Sequence, residues 1–259
     1  MMPAAFVTDM GPFPAFENDD YARALAALGE TLPRPKAVVV MSGHWPARGI
    51  LSATSSAKPG IMHDYSGFPE EFYRFDYPCP GDPALARNII ERLAQAGFPA
   101  AAAPERPLDH GAWAPLSRIY PKADVPVVQL AVPAGEDPRR IMAAGLALSP
   151  LREEDVLLLG SGALVHNLRL FRFGETDAPP DAWAEEFDAW LVKRLDAGQT
   201  GELCDYRRLA PSAKLAAPTS EHFDPLFFVL GAAPGAKPVY THRSLRYGSG
   251  LRRIFSFGL

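Results

Sequence analysis

The chain has 259 residues, 47% of them hydrophobic, so it can bury the core of one large α/β domain spanning residues 1–259. Its net charge of −4 and the absence of any lysine- or arginine-rich run argue against a nucleic-acid or anionic-membrane surface. No apolar stretch is long enough to span a bilayer, and the two cysteines, Cys79 and Cys204, predict a reducing cytoplasm rather than a disulfide framework.

Short apolar runs that end in small or polar residues predict buried strands, most of them parallel. In chain order these runs are residues 4–8, 37–42, 51–54, 98–103, 125–132, 155–161, 239–241 and 251–257. Helical patterns alternate with them. We therefore expect a single α/β domain with a central, mostly parallel or mixed sheet flanked by helices, and an active site at the carboxyl ends of the strands.

The helices are predicted between these strands, and several begin with an aspartate that can cap the first turn. They cover residues 20–32, 82–96, 114–120, 137–148, 180–197 and 219–231. Residues 11–14 are predicted to form a rigid loop, and residues 198–218 are predicted to be irregular. The long segment 55–81 is rich in aromatic residues, which favours an ordered binding loop.

Three polar side chains follow predicted strands. Asp9 comes directly after the strand 4–8, His44 follows the strand 37–42, and His166 lies shortly after the strand 155–161. A histidine or aspartate at such a position often has only a structural role, as a hydrogen-bonded core residue or a turn former. Their joint arrival at one edge of the sheet instead indicates a metal site or an acid–base site.

Two further histidines are candidates for the same site. His110 lies in the loop before a short helix. His222 is predicted in the first turn of a helix, where the backbone dipole disfavours a protonated imidazole and so suits a neutral metal ligand. Of the remaining two, His242 is interpreted as structural and His63 is left undecided.

Two imidazoles and one carboxylate form the ligand set of non-haem Fe(II) enzymes that act on O₂. Asp9, His44 and His222 would supply that set where they converge, and the same trio could hold catalytic zinc. Other chemistry has little support in the sequence. There is no phosphate-binding glycine loop, and residues 160–162 lack the spacing of a nucleophile elbow.

Five motifs in order reveal a family resemblance across nearly the whole chain. They are Ser42-Gly43-His44-Trp45, His63-Asp64-Tyr65-Ser66-Gly67-Phe68-Pro69, Asp109-His110-Gly111-Ala112-Trp113, Gly160-Ser161-Gly162-Ala163-Leu164-Val165-His166-Asn167-Leu168 and Glu221-His222-Phe223. The sequence resembles the class III extradiol ring-cleavage dioxygenases, in the branch of the DOPA 4,5-extradiol dioxygenases. The resemblance implies a dioxygenase that opens a catechol-type aromatic diol with O₂.

The resemblance also implies roles for individual residues. Carried over by position, Asp9, His44 and His222 would hold Fe(II), with Zn(II) as the alternative ion. His110 and His166 would be the acid–base residues, although His166 as a further ligand stays open. The implied partners are a small aromatic diol and O₂, with no nucleic acid and no membrane, and a homo-oligomer is compatible with the sequence.

The chain departs from the family pattern at one position. Where the family has His-Gly-Ser-Pro, this sequence has Asp9-Met10-Gly11-Pro12. Either Asp9 coordinates the metal and restores two imidazoles and one carboxylate, or metal affinity is lost and the chain is a metal-poor binding or regulatory protein. We favour retained binding. A zinc-dependent hydrolase is a third alternative, distinguished by its independence of O₂.

Overall fold

The computed structural model describes residues 1–259 and contains one eight-stranded sheet. The strands are β1 (Ala4–Thr8), β2 (Ala37–Ala47), β3 (Leu51–Thr54), β4 (Ala100–Ala103), β5 (Val127–Pro133), β6 (Val156–Gly162), β7 (Pro238–Arg246) and β8 (Gly250–Phe257). Their order across the sheet is β4-β3-β5-β2-β6-β1-β8-β7. Pairing is parallel in the centre, from β5 through β2 and β6 to β1, whereas β8 pairs antiparallel with both β1 and β7. The predicted mixed α/β architecture is confirmed.

Ten helices connect and cover the strands. They are α1 (Phe13–Phe16), α2 (Asp20–Thr31), α3 (Pro83–Gln95), α4 (His110–Ile119), α5 (Pro138–Leu148), α6 (Ala182–Asp196), α7 (Thr200–Cys204), α8 (Tyr206–Leu209), α9 (Ala213–Ala216) and α10 (Pro225–Ala232). The predicted aspartate caps are present in α2, α3 and α5, where the side chain accepts a hydrogen bond from a backbone N–H of the first turn. No helix is both long enough and apolar enough to cross a bilayer.

The hydrophobic core has two parts, one on each face of the sheet. Successive residues of a strand point to opposite faces, and β1 illustrates this: Ala4 and Phe6 belong to a core of 45 buried residues, whereas Ala5 and Val7 belong to a second core of 23. Because both faces are covered, the central strands are apolar along most of their length, which explains why they are recognisable in the sequence.

Several predicted boundaries were wrong, two of them next to the site. The helix predicted from residue 114 begins at His110, because the Asp109 side chain accepts a hydrogen bond from the N–H of Ala112 and caps an earlier turn. The helix predicted from residue 219 begins at Pro225, so His222 lies in the turn before it and the helix-dipole argument for a neutral His222 does not apply.

Three other segments also differ from the predictions. Residues 13–16 form the short helix α1 rather than a loop, and residues 198–218 contain the short helices α7, α8 and α9. Strand β2 continues past residue 42, so His44 lies within the strand instead of after it. A register shift in its pairing with β5 falls between Met41 and Pro46, and such an irregularity re-aims the side chains around it.

Helices α5 and α10 pack closely because glycines lie where they cross. A Cβ atom at Gly231 would collide with the carbonyl oxygen of Met142, and one at Gly145 would collide with that of Phe228. Since backbone atoms cannot move aside as a flexible side chain can, any larger residue must push the two helices apart.

We therefore expect Gly231→Ala to lower the free energy of unfolding by about 1–3 kcal/mol through overpacking. Gly201→Ala is the matched control, because Gly201 lies in α7 and a Cβ atom there would have no other atom within 4 Å. The control should be neutral or stabilising by up to about 1 kcal/mol. Urea denaturation of both variants measures the difference, and equal stabilities would contradict the close-packing argument.

Candidate metal centre

Three separate segments bring Asp9, His44 and His222 together at the carboxyl ends of the central strands. Asp9 follows β1, His44 lies in β2, and His222 lies in the turn before α10. The His44 Nε2 atom lies 2.7 Å from Asp9 Oδ2 and 3.2 Å from His222 Nε2. All three residues are mostly buried, with Asp9 only 4% exposed. The three ligands proposed from sequence therefore share one location.

Backbone contacts hold the turn that carries His222 against the sheet. The Ala163 N–H donates to the His222 carbonyl oxygen over 2.7 Å. A Cβ atom at Gly162 would collide with the same carbonyl, so only glycine lets β6 approach the turn this closely. On the other side of β6, the Asp9 N–H donates to the Gly162 carbonyl oxygen and continues the parallel pairing of β1.

The donor atoms at this location fit a divalent cation. Ligand atoms that share one cation at bond lengths of about 2.0–2.2 Å lie roughly 3 Å apart, and His44 Nε2 lies about that far from both Asp9 Oδ2 and His222 Nε2. Asp9 Oδ2 is buried, and its close polar partner is His44 Nε2, so no backbone or hydroxyl donor occupies its lone pairs. The ligand atoms of Asp9, His44 and His110 also lie within 4.8 Å of one another, as do those of His166, Glu221 and His222.

Asp9 and His44 stabilise each other's charged forms. Burial favours the neutral form of Asp9, but the neighbouring His44 and His110 imidazoles outweigh it and hold the pKa of that carboxyl well below its usual range. Burial likewise opposes a charge on His44, and the Asp9 carboxylate overcomes it, raising the pKa of His44 to about 9. Without a metal, a proton therefore occupies the place between these two side chains at neutral pH.

Asp64 orients His110, a role that its position in the sequence did not predict. Its Oδ1 atom accepts hydrogen bonds from both the backbone N–H and the Nδ1 of His110, each over 2.9 Å. The His110 Nε2 atom then faces Asp9 Oδ1 at 3.8 Å. Asp64 Oδ2 also lies 3.6 Å from His44 Nδ1. The signal in the sequence was an acidic residue inside the aromatic loop 55–81, next to His63.

Glu221 orients His222 in a similar way. Its Oε1 atom lies 3.3 Å from His222 Nδ1, which places a proton on that nitrogen and leaves Nε2 unprotonated, with its lone pair toward His44. Burial opposes ionisation of Glu221, but the hydrogen bond to His222, the larger effect, lowers the pKa of the Glu221 carboxyl to about 2. A carboxylate behind a ligating imidazole is the usual arrangement in metal sites.

His166 lies beside this group as a neutral imidazole. Its ring stacks on that of His222 with centroids 3.5 Å apart and an angle of 14° between the planes. Burial, with a contribution from the neighbouring His222, lowers the pKa of His166 to about 4. At neutral pH the ring is therefore available as a proton acceptor.

The two remaining histidines lie outside this cluster. His63 Nε2 donates to the carbonyl oxygen of Phe75 over 3.1 Å, and its ring packs edge-on against Trp113. His242 lies in β7, with its Nε2 atom 2.8 Å from Ser244 Oγ. Neither histidine has an imidazole nitrogen facing Asp9.

A cavity of about 260 Å³ opens beside the cluster. Asp9, His44, His110 and His166 form its polar end, whereas His222 lies behind them and does not line it. The rest of the wall is mainly aromatic and includes Phe68 of the loop 55–81. The predicted aromatic loop is thus ordered against the cavity, with the Tyr65 hydroxyl donating to the carbonyl oxygen of Phe72 over 2.7 Å.

Imidazoles and carboxylates lie at the strand ends, beside an aromatic cavity. This combination is typical of metal-dependent α/β enzymes that act on small aromatic compounds. Residues 14–253 match the family described as catalytic LigB subunit of aromatic ring-opening dioxygenase. The chain belongs to this family of extradiol ring-cleavage dioxygenases, as the sequence motifs predicted. The matched region begins after Asp9, so the role of Asp9 stays a prediction.

Individual relatives agree with the family match. The chain is 38% identical over 242 residues to a 4,5-DOPA dioxygenase extradiol of Escherichia coli (strain K12), covering 92% of this chain and 88% of that protein. It is 38% identical over 232 residues to a 4,5-DOPA dioxygenase extradiol of Beta vulgaris, covering 83% and 82% of the two chains. The crystal structure of an uncharacterized protein from Escherichia coli K12 has a TM-score of 0.84 at 33% identity and covers 100% of both chains.

We expect the affinity for Zn²⁺ to rise about tenfold per pH unit between about pH 6.5 and pH 8.5. The reason is that a metal must displace the proton held by His44, whose pKa in the metal-free protein is about 9. Competition with a chelator of known affinity measures the slope. His242→Gln, which removes a histidine outside the cluster, should show the same slope of affinity against pH. An affinity independent of pH would contradict the protonated Asp9–His44 pair.

Proposed function

We propose that this protein is an Fe(II)-dependent dioxygenase that cleaves the ring of a catechol-type diol with O₂ by the extradiol route. The observation that carries the proposal is that His44 Nε2 lies 2.7 Å from Asp9 Oδ2 and 3.2 Å from His222 Nε2, beside the polar end of the cavity. Two imidazoles and one carboxylate leave coordination positions for a substrate and O₂. When bound, ferrous iron supplies Lewis acidity toward the diol and one-electron chemistry toward O₂.

His166 is the proposed general base. It is neutral at neutral pH because burial lowers its pKa to about 4, and it lines the cavity next to the ligands. It can therefore accept a proton from a diol hydroxyl bound at the polar end. An imidazole with so low a pKa is a weak base in the free protein, so it holds the proton only while the negative charge of the bound diol is close by.

His110 is the proposed proton donor. Its Nδ1 is hydrogen-bonded to Asp64, so the ring can carry a second proton on Nε2 while the Asp64 carboxylate balances the charge. That nitrogen points toward Asp9 and the polar end of the cavity. A proton held there can pass to an oxygen atom of the reacting diol or of O₂, and the aromatic side chains of Tyr65 and Phe68 exclude water from the same space.

The alternatives from the sequence differ from this proposal in measurable ways. A zinc-dependent hydrolase would act without O₂, and a metal-poor binding protein would retain no metal after reconstitution. The relatives are named dioxygenases, which favours the oxygenase over both. A cytoplasmic location remains part of the proposal, since Cys79 and Cys204 are both buried and unpaired, as suits a reducing compartment. Self-association stays a prediction.

We expect anaerobically prepared protein loaded with Fe(II) to consume one O₂ for each catechol and to give a yellow ring-opened product. His44→Ala should bind less than about a tenth of an equivalent of iron, because it removes the central ligand. Metal analysis and an oxygen electrode measure both quantities. Turnover without O₂ consumption, or with zinc alone, would refute the oxygenase.

A second variant separates the base from the ligands. His166→Gln should retain iron but lose about 10²- to 10⁴-fold in kcat, because it removes only a proton acceptor. His242→Gln is the matched control, since it makes the same change outside the cluster and should keep both iron and activity. Loss of iron from His166→Gln would instead make His166 a further ligand and contradict its assignment as the base.

Asp64→Asn should lower kcat about 10- to 100-fold while iron content changes little, because Asp64 orients His110 and is not a ligand. An amide in that place can still accept a hydrogen bond but no longer balances a charge on the imidazole. Metal analysis and an oxygen electrode separate this positioning role from ligation. Loss of iron together with activity would make Asp64 a ligand and contradict the assignment.

A further inference from the structure

The cavity beside the candidate metal centre has one polar end and one apolar end. Six side chains form the apolar end: Phe13, Phe68, Leu168, Phe171, Phe173 and Tyr247. No lysine or arginine lines the cavity. We propose that the enzyme selects catechols whose ring carries an uncharged apolar substituent over catechols that carry a carboxylate. This inference rests on the proposed function, because it places the two hydroxyls at the polar end.

The size of the cavity is consistent with this selection. About 260 Å³ holds a catechol ring together with a short alkyl or aryl substituent. With the hydroxyls beside His44 and His166, the substituent extends along the aromatic wall. Burying each CH₂ group there strengthens binding, and a carboxylate in the same place gains nothing from the wall.

The arginines behind the wall are already paired. Arg246 stacks on the rings of Phe13 and Tyr247 but forms a two-pronged ion pair with Glu17, one prong of which is 3.1 Å long. Arg172 donates to Asp181 over 2.8 Å and to the Pro179 carbonyl oxygen over 2.6 Å. A substrate carboxylate could bind the terminal nitrogens of either guanidinium only by breaking these contacts, and the unpaired Arg246 Nε is buried.

The charged groups that do face the cavity repel a carboxylate. Asp9 and Asp64 both line its polar end, whereas no lysine or arginine lines the cavity. A substrate carboxylate buried along the apolar wall would find no cationic side chain there and would lose part of its hydration. The charge of the cavity thus acts in the same direction as its apolar wall.

The apolar wall is fixed by the backbone. The Tyr247 N–H donates to the Thr176 carbonyl oxygen and the Arg172 N–H donates to the Tyr247 carbonyl oxygen, each over 3.1 Å. Tyr247 has a φ of 57°, a left-handed conformation that a tyrosine adopts only where its surroundings impose it. These bonds tie the segment carrying Phe171 and Phe173 to the β7–β8 turn, so the wall is a built surface.

The test compares two diols that differ only at the end of one side chain. These are para-propylcatechol and dihydroxyphenylpropionate, in which a carboxylate replaces the terminal methyl group. We expect kcat/KM, measured by O₂ consumption, to be at least about tenfold higher for para-propylcatechol. Anaerobic calorimetry with Zn²⁺-loaded protein, which cannot turn over, should give the same order of affinities.

The outcomes distinguish this inference from the proposed function. When both diols are opened at equal rates, or the carboxylate is preferred, the inference is wrong and the dioxygenase stands. When neither diol is opened with consumption of O₂, the dioxygenase itself fails. L-DOPA, which also carries a carboxylate, should be a poorer substrate than para-propylcatechol, and a better one would overturn the inference.

A variant can supply the missing cation. Phe173 is 57% exposed at the rim of the cavity, so Phe173→Arg can be made without disturbing the core. We expect it to improve the relative kcat/KM for dihydroxyphenylpropionate about tenfold. Leu146→Arg is the matched control, since Leu146 is 54% exposed on α5 and outside the cavity, and it should leave the ratio unchanged. Leu168→Lys repeats the test from another position in the cavity lining. The inference would be overturned if neither Phe173→Arg nor Leu168→Lys changed the ratio of kcat/KM for the two diols.

Discussion

The candidate centre is organised by one buried negative charge. Asp9 is 4% exposed, and without partners a carboxylate in that position would take up a proton instead. Its ionisation is maintained because the imidazoles of His44, His110 and His222 surround it. The parallel pairing of β1, β6 and β2 makes this possible, since it ends these strands at one edge and sets Asp9 beside His44.

A second layer of carboxylates fixes the imidazoles in turn. Asp64 is bonded to His110, and Glu221 is bonded to His222, so each ring has a defined tautomer and presents Nε2 to the centre. Asp9, Asp64 and Glu221 all have lowered pKa values although burial opposes their ionisation. Alternating imidazoles and carboxylates therefore let several ionisable groups share a small volume without large unbalanced charge.

The fold was predictable from the sequence because the central strands are buried on both faces and so are mostly apolar. The proposed ligands were predictable for the same reason, since Asp9 and His44 lie at the ends of such runs. The role of Asp64 was not predictable, because this residue reaches the centre from a long loop whose path depends on tertiary contacts. The start of α4 at His110 was missed because Gly111 suggests a turn. Only glycine fits at position 111, because a Cβ atom there would collide with Ser42 Oγ.

On the proposed ligand set, an aspartate at residue 9 in place of a histidine would change the charge of the centre. Counting only the ligands, a divalent cation held by Asp9, His44 and His222 would leave one net positive charge, whereas three neutral histidines would leave two. A catechol that has lost a single proton balances one positive charge. The second hydroxyl proton would then be harder to remove and would need a base close by, and neutral His166, which lines the cavity, is the proposed base. Under this proposal, the aspartate at residue 9 increases the demand on His166.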